Sequence, residues 1–184
     1  MNKATYNPLK TFPMCRVFYI WSMRAISEAA LRSVAAVNVI LKKRRGRFRE
    51  GEQAIVLNDL QNVLVMAAGL SRYFWPVRQQ HEDRGLSLRI QFKVADDSPL
   101  RVRNVRNEIE HFDEKLDLYF SRPVVGVIIP QYVGPYRETD GVPGHYFRAY
   151  YTDRGIFEVL GNQFPMVPLV EEIARIDVLL RRSR

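Results

Sequence analysis

At 184 residues the chain has room for one domain with a sizeable core, and its 47% hydrophobic content is ordinary for a globular protein. The net charge of +8, carried mostly by arginine, points toward phosphate-bearing or other anionic partners. A single cysteine, Cys15, excludes an intrachain disulfide and a thiolate zinc cluster, and fits a reducing, cytoplasmic setting.

Residues 1–12 read as a loose polar arm, with Pro8 and no apolar leader core. A long helix is expected from Pro13, where proline suits a first turn, through CRVFYIWSMRAISEAALRSVAAVNVILKK. Its apolar runs, such as AALRSVAAVNVIL, are interrupted by Arg32 and Asn38, so no membrane span and no membrane partner is expected. The basic knot KKRRGRFREG ends it, with Gly46 and Gly51 as breakers. Lys42, Lys43, Arg44, Arg45 and Arg47 there read as a phosphate-contacting loop, or equally as solvated charges favoured by the helix C-terminus.

A second helix is expected over roughly Glu52 to Tyr73, with Ile55, Leu60, Val63, Leu64 and Ala67 buried and Pro76 closing it. RGLSLRIQF reads as a short helix or a strand. Asp97 or Ser98 then suits an N-cap with Pro99 following, starting a helix to about Ser121–Pro123. Val102, Val105, Ile109, Phe112 and Leu116 make its narrow apolar seam. VVGVII and HYFRAYY follow as β-type runs, with TDRG as a hairpin turn before IFEVLGN. VPLVEEIARIDVLLRRSR closes the chain as an amphipathic helix. The expected fold is mainly α: one domain with an arm (1–12), a helical bundle (13–122), a small antiparallel β-ribbon (123–164) and a C-terminal helix (165–184).

The stretch RVRNVRNEIEHFDEKLD concentrates the chemistry. At about 100° per residue, Asn107, His111 and Glu114 lie opposite the seam, with Arg103 beside them. Arg106 sits near the seam's edge, about 140° from His111. Glu110 stands four from Arg106, and Glu114 three from His111, so both can act as ionic partners within the helix. The residues leave two readings open: a solvated face of ion pairs, or a cleft in which histidine titrates near neutral pH beside arginine and amide groups.

RNEIEH at 106–111 resembles the arginine, polar residue, three variable positions, histidine signature of HEPN (higher eukaryotes and prokaryotes nucleotide-binding) domains. The wider run is also similar to one in bacterial proteins of no assigned role, roughly LRN..EHFDE.LD. The HEPN resemblance implies a small helical bundle, commonly a homodimer in which two motif helices build one cleft. It implies a metal-independent ribonuclease, often of a toxin–antitoxin or antiphage system, with RNA as substrate and an antitoxin as partner. On that footing Arg106, Asn107 and His111 are catalytic, and Arg103, Glu110 and Glu114 support them. The histidine would exchange protons with the 2′-hydroxyl and the leaving oxygen, and arginine would neutralise the phosphorane. The alternative is a non-catalytic dimeric regulator or adaptor, or a plain nucleic-acid binder using the 42–50 loop.

No cofactor or metal is expected: His81 and His145 lack ligand-spaced companions, and the chain holds no phosphate-binding glycine loop, Rossmann fingerprint or nucleophile elbow. In HYFRAYY, aromatics around Arg148 suit either a base-stacking platform or, preferably, a strand with one buried face. RYFWP and Trp21 read as core or dimer packing.

Overall fold

The computed structural model describes residues 13–44, 47–101, 112–137 and 141–183. A single 3-10 turn, Pro13–Cys15, leads into α1 (Arg16–Lys43). Its buried stripe alternates large and small groups: Ile20, Met23, Ser27, Ala30, Ser33 and Val37. The small members let two neighbouring helices approach closely and offer hydroxyls to them. Asn62 of α2 (Glu50–Phe74) donates to Ser33 Oγ at 2.9 Å. Ser27 Oγ donates to the buried carboxylate of Asp177 at 2.7 Å, on α5 (Met166–Arg182).

α2 is the central helix. Leu60, Val63, Leu64 and Ala67 are buried as expected, with Val56, Leu57, Leu70 and Phe74, whereas Ile55 faces outward. The stripe is shifted because Val56 and Leu57, not Ile55, face the core. Among the described residues α2 alone is long and apolar enough to cross a membrane by length and composition, and half of that window is buried within the fold. Its last carbonyls are satisfied from α3 (Glu82–Phe92): Arg89 donates to Phe74 O at 2.6 Å, and Arg84 to the carbonyls of Tyr73 and Arg72. Burial between Tyr19 and Tyr73 pushes the Arg84 guanidinium down from its ordinary value. Gly85 makes this docking possible, since a Cβ there would stand 2.5 Å from Pro76 Cδ and 2.6 Å from Phe74 O. RGLSLRIQF is therefore helix, and it ends at Lys93 in the left-handed region (φ 51°).

The expected N-cap at Ser98 is a correction. Ser98 Oγ accepts from Leu100 N at 3.3 Å, and Arg101 N returns to Ser98 O, so Pro99 and Leu100 form a turn. Leu100 is driven into the core there, and Ser98 Oγ donates to Glu172 of α5. The helix expected from residue 99 is described as α4 (Phe112–Phe120), ending at Ser121 as anticipated. The seam residues Val102, Val105 and Ile109 lie outside the described residues.

The C-terminal part is a four-stranded mixed sheet in the order β1 (Val127–Gly134), β2 (Gly144–Tyr151), β3 (Ile156–Val159), β4 (Asn162–Pro165). TDRG is the expected hairpin turn, and β2–β3 and β3–β4 are antiparallel. β1 departs from the antiparallel ribbon: it runs parallel to β2, from Val127 beside Gly144 to Gly134 beside Tyr151. A short link favours a hairpin by default, but here the chain returns to the starting end before β2 begins. One sheet face carries Val133, Tyr150, Phe157 and Val159 into the core shared with the helices. Arg148 reaches from that face to Asn58 Oδ1 (2.7 Å) and Gln61 Oε1 (3.0 Å) on α2. The opposite face presents Ala149, Tyr151 and the buried Glu158, whose carboxylate accepts from Tyr151 (3.1 Å) and Gln163 (2.8 Å).

Candidate functional site

The site with convergent polar groups lies where α4 meets the open side of the sheet. Lys115, Leu118 and Tyr119 recur at three and four along α4 and share one face of it. With Arg122, Pro123 and Val124, His145 of β2, Leu160 and Asn162, they line a cleft of about 480 Å³. That volume suits part of a ligand of metabolite or nucleotide size.

Tyr119 and His145 form its hinge. The Tyr119 hydroxyl lies 2.6 Å from His145 Nδ1, and His145 Nε2 lies 3.0 Å from the carbonyl oxygen of Val125. A carbonyl only accepts, so Nε2 carries a proton and donates to Val125 O, and Nδ1 shares a hydrogen bond with the Tyr119 hydroxyl. The imidazole is thus engaged at both nitrogens. The two rings meet edge to face at 5.9 Å. Burial, and then the charge of Glu158, push the Tyr119 phenol up from 10.0, which keeps it a donor at neutral pH. Gly126 allows the contact: at φ +138° it passes Pro143 and His145 so closely that a Cβ would stand 2.1 Å from Pro143 O.

The cleft therefore offers two cationic side chains, Lys115 and Arg122, around a fixed phenol–imidazole pair. Leu160 adds a wall from the β3–β4 turn, in the left-handed region at φ 45°. An apolar γ-branched residue is costly in that conformation, and such strain recurs at ligand sites.

The sequence-predicted residues fall differently. Arg103, Arg106, Asn107, Glu110 and His111 lie outside the described residues, as does Arg45. Glu114 is in the first turn of α4, exposed. Lys42 and Lys43 project from the last turn of α1, and Arg47 is exposed after it. Arg44, of the same basic run, pairs with Glu52 through Nη2 (2.7 Å) and Nε (2.8 Å). That pair, with Arg49 N donating to Glu52 Oε2, ties α1 to the first turn of α2 and holds the Glu52 carboxyl below its ordinary 4.5. The stacking-platform reading of HYFRAYY is also set aside, because Arg148, Tyr150 and Tyr151 are engaged inside the fold. Among the described residues no histidine, cysteine and carboxylate cluster could hold a metal.

Sequence reasoning passed over Lys115, Tyr119, Arg122 and His145 as a group. The first three were legible as a spaced set following RNEIEH; the pairing of Tyr119 with a histidine 26 positions away was not. No protein-family model, curated protein or solved structure matches the chain. The HEPN resemblance thus stands on residues 106–111 alone.

Proposed function

We propose that this chain binds RNA, with the phosphodiester backbone running through the α4–sheet cleft, and that Arg106 and His111 cut the strand without a metal. The observation that carries the reading is the placement of two cations and a phenolic donor in one cleft of a +8 chain, immediately downstream of RNEIEH. α4 begins one residue after His111, and Lys115 stands four residues after it in sequence.

Each group has a distinct task. Lys115 and Arg122 neutralise successive phosphates and release their counterions. Tyr119 donates to a phosphate oxygen only by turning from His145, so its ground-state role is to fix the imidazole and shape the wall. His145, bonded at both nitrogens, positions rather than transfers protons. Cleavage itself is assigned to the motif. His111 takes the 2′-hydroxyl proton as that oxygen attacks phosphorus; the P–O5′ bond breaks, and the 5′-oxygen leaves with a proton returned to it. Arg106 faces the charge of the phosphorane, and the products are a 2′,3′-cyclic phosphate and a 5′-hydroxyl.

The test separates binding from cutting. Against a fluorescent single-stranded RNA, the Lys115→Ala/Arg122→Ala variant should bind about tenfold more weakly at moderate salt. Its log–log salt slope should be shallower by about 1.4, for two lost phosphate contacts. Arg106→Ala/His111→Ala should bind as wild type but leave RNA intact in EDTA, where the wild type cuts. Unaltered RNA binding by the cleft variant overturns the cleft assignment. RNA binding without any cleavage removes the nuclease step and leaves a nucleic-acid binder.

A further inference from the structure

α1 carries two apolar faces, and the fold covers one of them. The face opposite the buried stripe follows a heptad that starts at Met14 in the turn leading into α1: Met14, Trp21, Glu28 and Ala35 interleave with Phe18, Ala25, Arg32 and Val39 at steps of four and three. Met14 is 88% exposed, Phe18 73%, Trp21 62% and Val39 66%. Ala25, Arg32 and Ala35 on the same line are exposed too.

We propose that a second copy of this chain covers this face, with the two α1 helices antiparallel across a two-fold axis midway between Ala25 and Glu28. The pattern is self-complementary in size only in that orientation. Bulky apolar side chains dominate its N-terminal half (Met14, Phe18, Trp21), and charged or smaller ones its C-terminal half (Glu28, Arg32, Ala35, Val39). A parallel pair would set Phe18 against Phe18, Trp21 against Trp21, Ala35 against Ala35 and Arg32 against Arg32. The antiparallel pair sets Met14 against Val39, Phe18 against Ala35, Trp21 against Arg32 and Ala25 against Glu28.

Charge agrees with size. Arg32 of each copy comes to the indole of the other, a contact Trp21 already makes with Arg24 at 5.0 Å. Glu28 enters the seam neutralised, 3.5 Å from Arg24 and 3.1 Å from Arg181. The large exposed side chains of the seam, with flanking Val17 and Ala36, offer on the order of 600 Å² per copy, or about 1,200 Å² in the pair. That meets the lower bound of a specific interface. A bilayer is a poorer occupant, because Arg32 sits mid-seam, where lipid offers its guanidinium no aromatic face or anion. The inference is independent of RNA binding, and it moves the dimer contact from the 99–120 segment of the sequence expectation to α1.

The experiment is the solution mass of the full chain by light scattering at micromolar concentration, joined to site-specific cross-linking. The wild type should weigh twice 21.5 kDa. Phe18→Glu/Trp21→Glu should weigh one chain with its helical circular dichroism and unfolding temperature retained, while Phe18→Leu stays dimeric. In a Cys15→Ser background, a short bis-maleimide should link Ala25→Cys across the axis. Met14→Cys should not be linked, its copies being about 37 Å apart. A monomeric wild type overturns the proposal, whether Trp21 is then quenched freely by acrylamide, shielded by residues 1–12, or bound to phosphatidylserine vesicles. A dimer that survives the double glutamate variant, or that links through Met14→Cys, overturns it as well.

Discussion

The helical body and the α4–sheet side use polar residues in opposite ways. In the body, polar side chains join helix to helix: Ser27 to Asp177 to Arg181 between α1 and α5, Arg44 to Glu52 between α1 and α2. On the α4 side, the Tyr119–His145–Val125 chain, Lys115 and Arg122 border an opening. Charge in the body is held in ion pairs between helices, whereas the cleft sets two cationic side chains along the wall of a cavity. A polar group becomes informative about function when its surroundings leave space beside it, rather than through its residue type.

Substitutions sharpen that contrast, beginning with the largest effect. Leu64→Ala, at a fully buried site on α2, should cost about 2–5 kcal/mol in denaturant unfolding, while Leu118→Ala on the cleft wall should cost under about 1 kcal/mol. Comparable losses at the two sites would make the cleft part of the core. Asp177→Ala should cost about 1–2 kcal/mol, since it removes the buried carboxylate that accepts from Ser27 of α1, while Ser27 keeps Arg24 O and Arg181 keeps Glu28. Tyr119→Phe should cost only about 1 kcal/mol, yet release His145 Nδ1. Nitrogen-detected NMR of the imidazole should then show the Nδ1 resonance move, while Nε2 keeps its bond to Val125 O.

Titration distinguishes the two regions as well. Glu172, held below 4.5 first by Arg175 and also by Ser98, stabilises the folded state above that pH. Its contribution fades as acid protonates the folded carboxyl, so Glu172→Gln should flatten the acid limb of a stability–pH curve. Tyr151, raised above 10.0 by burial and by Glu158, works in the other direction. The fold retains its proton above pH 10, where the unfolded chain loses it, so stability should fall as pH rises past 10; Tyr151→Phe should blunt that fall. The smallest expected effect is at the cleft rim. Leu160→Asn, better suited to φ 45°, should gain up to about 1 kcal/mol.

How much of this was legible beforehand follows from which forces act locally. Periodicity located α1, α2 and the terminal helix because each buries one stripe, and Thr152–Gly155 was legible as a turn from its residues. Parallel pairing of β1 with β2 was not, since direction is decided by the path between strands and not by their composition. Ser98 misled because a serine before proline serves a turn as readily as an N-cap, and burial of Leu100 decides between them. At the site, Lys115 and Tyr119 were visible at helical spacing, but the role of His145 depends on Tyr119 and Gly126, both distant in sequence or silent in composition. The Arg44–Glu52 pair was not legible, because it spans a helix junction that the local sequence does not specify.

The most direct measurement is a titration of the isotope-labelled full chain with a short single-stranded RNA, followed by backbone and imidazole NMR shifts. Saturable changes centred on Lys115, Tyr119, Arg122 and the His145 ring are expected, with the unbound spectrum restored by high salt. Changes confined to Lys42, Lys43 and Arg47, with the cleft residues unmoved at saturation, would contradict it.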